Sequence, residues 1–204
     1  MGKYQQLAAR IRGLPEPAKA VLAVVSTQRL MNHHLSLPAA ERDPFIMALA
    51  PDLDKLWQAL YTPSVEADAA LQKLLKKRRS EPYASQIGKN NWQRGDDHPF
   101  AAARSALDTY CNGGYRTGAV MRLIDAARDM ALAISESLGE DLTSDKAEAR
   151  GEALARPEFN RVTSAVSILE REGVTTKSLD KLRKIFAGAG LGQSRAWEKR
   201  QARG

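Results

Sequence analysis

Apolar residues recur at helical spacing along most of the chain, and the strongest such stretch runs from Phe100 to Leu138. Val120, Ile124, Ala127, Ala131, Ile134 and Leu138 stand 4, 3, 4, 3 and 4 residues apart, which makes one continuous stripe along a helix. Leu107, Tyr110 and Cys111 supply an apolar face on a preceding helix. Between the two, Asn112-Gly113-Gly114 is a short breaker at which the chain can reverse. The pattern predicts a central antiparallel helix pair with the other apolar helices packed around it.

Those other helices follow in order. Tyr4 to Arg12 predicts a first helix ended by Gly13 and by Pro15 and Pro17. From Ala18, the positions Val21, Leu22, Val24, Val25 and Leu30 predict a well-buried second helix whose polar end carries Asn32-His33-His34. Asp43-Pro44 opens a short helix to Ala50, and Pro51-Asp52 opens another whose bulky face is Leu53, Leu56, Trp57, Leu60 and Tyr61. Core packing is the expectation for Trp57. Ser64 caps the next helix, with Ala67, Ala70, Leu71, Leu74 and Leu75 facing inward and Lys73 and Lys76 to Arg79 crowding its C-terminal end.

Beyond the central pair, Thr143 to Ala155 predicts a charged, exposed helix, interrupted at Arg156-Pro157. Pro157 then starts a helix with the face Val162, Ala165, Val166 and Leu169, stopped by Gly173. Thr175 to Ser178 starts a last one through Leu179, Leu182, Ile185 and Phe186. No repeat and no credible strand run appears. The expected fold class is all-α: a single-domain, multi-helix bundle over residues 1–192, with a basic, disordered tail over 193–204.

Length changes this picture little: 204 residues bury a core without metal or disulfide staples, and one cysteine cannot make an internal bridge. No apolar run approaches the roughly 20 residues a membrane span needs, so the expectation is a cytoplasmic protein with no membrane partner. Charge changes it more. The net charge of +7 is concentrated in two stretches. Lys73 to Arg104 holds eight basic residues against three acidic, and Lys177 to Gly204 holds eight against two. Such stretches attract phosphate or an acidic protein face.

Ser80 to Asp97 lacks apolar periodicity but carries Tyr83, Lys89, Trp92 and Arg94. Structureless segments of that length inside domains are uncommon and are often functional. The expected partner-binding surface is therefore Lys76, Lys77, Arg78, Arg79, Tyr83, Lys89, Trp92 and Arg94, with Trp92 as anchor and the cations as rim. Other chemistry finds little support. His33 and His34 lie about 100° apart on a helix and cannot share an ion from regular helix. Asp96, Asp97, His98 and Cys111 have no ligand or nucleophile spacing. Gly188-x-Gly190-x-Gly192 lacks the strand-then-helix setting of a nucleotide fingerprint. No catalytic residue, metal site or cofactor is expected.

Three features together resemble the YjaG-like family of small all-helical bacterial proteins of unknown function. They are Leu53-Asp54-Lys55-Leu56-Trp57-Gln58-Ala59-Leu60, Ala106-Leu107-Asp108 in the central helices, and a final helix pair from Pro157. The resemblance spans about Ala18 to Ala187 and implies a fold, bringing no catalytic residues with it. The chain departs from that family's acidic character in its basic Lys73 to Arg94 region. The functional expectation is a non-enzymatic protein-binding module with an acidic partner, in its sharpest form an immunity protein that occludes a cognate toxin. The alternative is a helical protein that binds nucleic acid without sequence preference, since basic residues beside Tyr83 and Trp92 can neutralise phosphates and stack bases.

Overall fold

A helix that carries apolar residues on nearly every side has to lie between other elements, and Ala18 to Thr27, with Lys19, Ser26 and Thr27 as its polar members, is such a stretch. In the computed structural model all ten of its residues are buried. The structure describes residues 2–36, 39, 42, 44–80, 97–113, 118–137, 139, 141, 143–188, 190 and 191. Their helices are α1 (Lys3–Gly13), α2 (Glu16–Ser36), α3 (Pro44–Met47), α4 (Ala50–Tyr61), α5 (Val65–Ser80), α6 (Asp97–Asn112), α7 (Gly118–Ser137), α8 (Asp145–Glu172) and α9 (Thr176–Ile185). No strand occurs among the described residues, and the fold is an all-α multi-helix bundle.

The hub is α2, which packs against α3, α4, α6, α7, α8 and α9. Val21, Val24 and Val25 are weak helix formers, so packing rather than propensity sustains it. Ser26 and Thr27 stay satisfied inside the core by donating to the carbonyls of Leu22 and Ala23, each at 2.9 Å. The expected central pair is present as α6 and α7, which pack on each other, and Leu107, Val120, Ile124, Ala127 and Ala131 are buried as the stripe predicts. Its place differs: a helix with one apolar stripe lies beside the hub, and a helix apolar on nearly every side becomes the hub. Gly113, with φ +63°, ends α6 in the left-handed conformation that favours glycine.

The end of α2 also differs from expectation. The helix runs on to Ser36, and His34 is buried rather than part of a polar end.

A larger difference is α8. The expected break at Arg156-Pro157 does not occur: one helix runs 28 residues with Pro157 inside it. An interior proline removes a hydrogen bond and costs about 3 kcal/mol. Packing on both sides of it holds the helix together. Ala147 and Ala155 are buried before Pro157, and Glu158, Arg161 and Val162 after it, while α8 lies along α7, α2, α1 and α9. Its N-terminal half is thus not simply exposed. Ser144 caps the start, and Gly173, at φ +63°, ends it with its N–H on the Leu169 carbonyl at 3.0 Å.

Trp57 packs in the core and donates Nε1–H to Gln28 Oε1 at 3.0 Å. Tyr61 donates its hydroxyl to Asp180 on α9 at 2.7 Å. Thr175 and Ser178 cap α9 reciprocally, and Leu179, Leu182 and Phe186 bury its inner side. Ala70, expected inward on α5, is exposed.

Candidate functional site

The exposed charge of α5 is positioned by what the helix buries. Ser64 accepts the Ala67 N–H at 3.1 Å and caps it, with Glu66 and Asp68 in the first turn and Lys77, Arg78 and Arg79 in the last, an order the helix dipole favours. Leu71, Leu74, Leu75 and Arg78 are its buried residues. They stand at i, i+3, i+4 and i+7, one side of a helix. Lys73, Lys76 and Lys77 stand at i, i+3 and i+4 on another side, and all three are exposed. Together with Arg79, Lys73 and Lys76 line an open depression of about 470 Å³.

The expected group of four consecutive solvent-facing cations is therefore corrected to a narrower set. Arg78 is 6% exposed. Its Nε and Nη2 reach Asp52 Oδ2 at 2.6 and 2.5 Å, and Nη2 also donates to the Ala48 carbonyl at 3.3 Å. The reason is rotation: each residue turns the helix by about 100°, so Arg78 follows Leu71, Leu74 and Leu75 inward while Lys77 does not. Burial pushes the Asp52 carboxyl above its ordinary range, and Arg78 opposes that shift. Arg79 remains exposed but is tied to Asp108 of α6, whose Oδ1 also accepts from Asn112 at 2.7 Å. Of the expected surface, Lys76 and Lys77 stand clear, Arg79 stands at the edge, and Lys73 joins them. Tyr83, Lys89, Trp92 and Arg94 lie outside the described residues, as does the expected tail over 193–204.

A second charged assembly escaped sequence reasoning. Arg29 and Glu158 are both fully buried, with Arg29 Nη2 at 3.1 Å and Arg161 Nη1 at 2.7 Å from Glu158 Oε1. Arg29 also donates Nη1 to the Gly188 carbonyl and Nη2 to the Gly190 carbonyl. This cluster ties α2, α8 and the segment after α9 together. It gives the glycine series a structural use, presenting backbone carbonyls to a buried guanidinium. The available signal was an arginine two residues past the apolar run of α2, directly before the buried Leu30 and Met31.

A third polar cluster fastens α1 to the bundle. Glu152 of α8 accepts from Lys3 at 2.5 Å, from Tyr4 at 3.0 Å and from Arg128 at 3.0 Å. The Lys3 hydrogen bond, supported by those of Arg128 and Tyr4, lowers its carboxyl to about 2. Tyr4 also meets Phe159 edge-on at 5.1 Å.

Among the described residues, no group of three or more His, Cys, Asp or Glu is arranged to hold a metal ion. Burial, with Asp68 and Asp108 adding to it, pushes the Cys111 thiol up to about 11, the opposite of what an activated nucleophile needs. None of the described helices is long and apolar enough to cross a membrane. No family model matches the chain, and no curated protein or solved structure matches it either.

Proposed function

We propose that this chain is a non-enzymatic, cytoplasmic protein-binding module whose α5 face meets an acidic partner. The observation that carries the reading is the ridge of Lys73, Lys76 and Lys77, three exposed ammonium groups on a helix whose other side is locked into the core. A basic ridge on a rigid support steers an acidic surface during encounter and holds its register, at little ordering cost to the scaffold. Arg79, held at the edge by Asp108, extends it. Tyr83, Lys89, Trp92 and Arg94 join this surface on sequence grounds, with Trp92 as the apolar anchor. The sharpest form of the proposal is an immunity protein that occludes a toxin, within the YjaG-like family that the Leu53 to Leu60 helix resembles.

The test is capture from host lysate by the wild-type chain and by a Lys73→Glu, Lys76→Glu, Lys77→Glu triple variant, each with and without nuclease. One acidic protein retained after nuclease, and lost by the triple variant, is the expected result. Capture that disappears with nuclease, or is indifferent to the charge reversal, overturns the proposal. The first of those outcomes would put nonspecific nucleic-acid binding in its place, with affinity falling steeply as salt rises.

A further inference from the structure

A cavity of about 430 Å³ opens where the start of α2, the end of α4, the first turns of α5 and the end of α6 converge. Ala20, Ala59, Leu60, Pro63 and Val174 contribute apolar walls. Its polar lining is Glu16, Asp68, Gln72, Thr109 and Tyr110, and among the described residues no Lys, Arg or His lines it. That is the reverse of the charge balance of the chain as a whole, which is +7.

The hydrogen bonds of the lining sharpen the contrast. Tyr110 donates its hydroxyl to Asp68 Oδ1 at 2.9 Å, Thr109 donates to the Ser105 carbonyl at 2.8 Å, and Gln72 donates from Nε2 to the Cys111 carbonyl at 2.9 Å. Both hydroxyl hydrogens are thereby committed to the protein, and the oxygens keep lone pairs for a donor. Lys19 balances Glu16 through a 2.7 Å contact. Asp68 stands exposed at the cavity's rim with a neutral hydroxyl as its partner, and among the described residues no cation pairs with it. The titration of neighbouring groups agrees: burial, with the Asp68 charge adding to it, raises Tyr110 to about 12, and burial with Asp68 and Asp108 raises Cys111 to about 11.

A ligand that suits such a site is apolar over most of its surface and ends in a group that donates hydrogens and carries positive charge. We propose that the cavity binds a small organic cation, a primary ammonium on an apolar body, with Asp68 receiving the ammonium and the Ala20, Ala59 and Leu60 walls the body. An ammonium has three donors and no acceptor, which complements Asp68 and the Tyr110 and Thr109 oxygens. The cavity falls within the usual range for small-molecule sites of about 300 to 1,000 Å³.

Tryptamine is a suitable probe, with 3-propylindole as its uncharged counterpart of nearly the same shape. Binding to the full chain is followed by calorimetry and by the methyl NMR signals of Ala20, Ala59 and Val174. The expected result is saturable binding of tryptamine with shifts in those methyls, and weaker binding of 3-propylindole. Asp68→Asn keeps an acceptor for Tyr110 and removes the charge, so it is expected to weaken tryptamine about fivefold without unfolding the chain. Absence of saturable shifts at those methyls, equal affinity for the two indoles, or indifference to Asp68→Asn overturns the proposal. The Lys73, Lys76, Lys77 charge-reversal variant, which only adds negative charge to the helix that carries Asp68, is expected to keep saturable tryptamine binding and not to weaken it, so this site and the α5 surface fail or stand separately.

Discussion

Lys77 and Arg78 are adjacent in sequence and opposite in fate: one is exposed, and the other is buried against Asp52 and the Ala48 carbonyl. The same division separates Lys73 and Lys76 from Arg29 and Arg161. Among these the exposed cations are lysines, whose compact, strongly hydrated ammonium favours water, whereas elsewhere Arg79 is exposed and Lys19 is buried beside Glu16. The buried ones among them are arginines, whose planar fork satisfies several acceptors at once, as Arg29 does with Glu158 and two glycine carbonyls. A run of basic residues is therefore not one surface. Part of it can be structural glue, and helix rotation decides which part.

The comparison breaks if the arginines are dispensable for stability. Arg29→Ala takes from the buried Glu158 one of its two arginine partners, leaving Arg161, and is expected to destabilise by about 3 to 5 kcal/mol, read from urea unfolding. Loss below about 1 kcal/mol would mean the cluster is relieved by water or by rearrangement. Arg78→Ala strands Asp52 less deeply and is expected to cost about 3 kcal/mol, whereas Lys77→Ala next to it should stay within about 0.5 kcal/mol.

The Glu152 cluster sharpens the same comparison, because it pairs cations at partial exposure. Its carboxyl is depressed in the folded protein, from an ordinary 4.5 to about 2. The stabilisation it contributes is thus fully present above the unfolded value and is lost as pH falls through the folded one. With Lys3 and Arg128 both partly solvated, Glu152→Gln is expected to cost about 1 kcal/mol near neutral pH. That difference from wild type should shrink from about pH 5 and vanish near pH 2, in thermal melts taken across the range. The smallest effect on stability belongs to Lys73→Ala and Lys76→Ala, about 0.5 kcal/mol or less. Their effect should appear instead as a slower, more salt-sensitive association with the proposed acidic partner.

Much of the architecture was legible because helical periodicity is a local property. The stripe from Val120 to Ala131, the Trp57 face of α4, the Ser64 cap and the Thr175-Ser178 start of α9 can all be read from a few neighbouring residues. The continuity of α8 was not, since Pro157 is a local break signal that burial of Glu158, Arg161 and Val162 outweighs. The candidate surface was half legible. Composition located the basic stretch, but the departure of Arg78 from it depends on Asp52, which lies 26 residues away.

The amino-acid order alone settled that the chain is helical, where most of its helices start, and which positions along each are apolar, because those depend on capping chemistry and on spacing within one turn. The tertiary structure alone decided that α2 rather than the α6–α7 pair is the hub. It also decided that Arg29 meets Glu158 across 129 residues, and that Asp68, Tyr110 and Thr109 line one cavity with the ends of other helices. Those outcomes rest on which surfaces face each other, and a charge far along the chain changes a residue's environment only once packing brings it within a few ångströms.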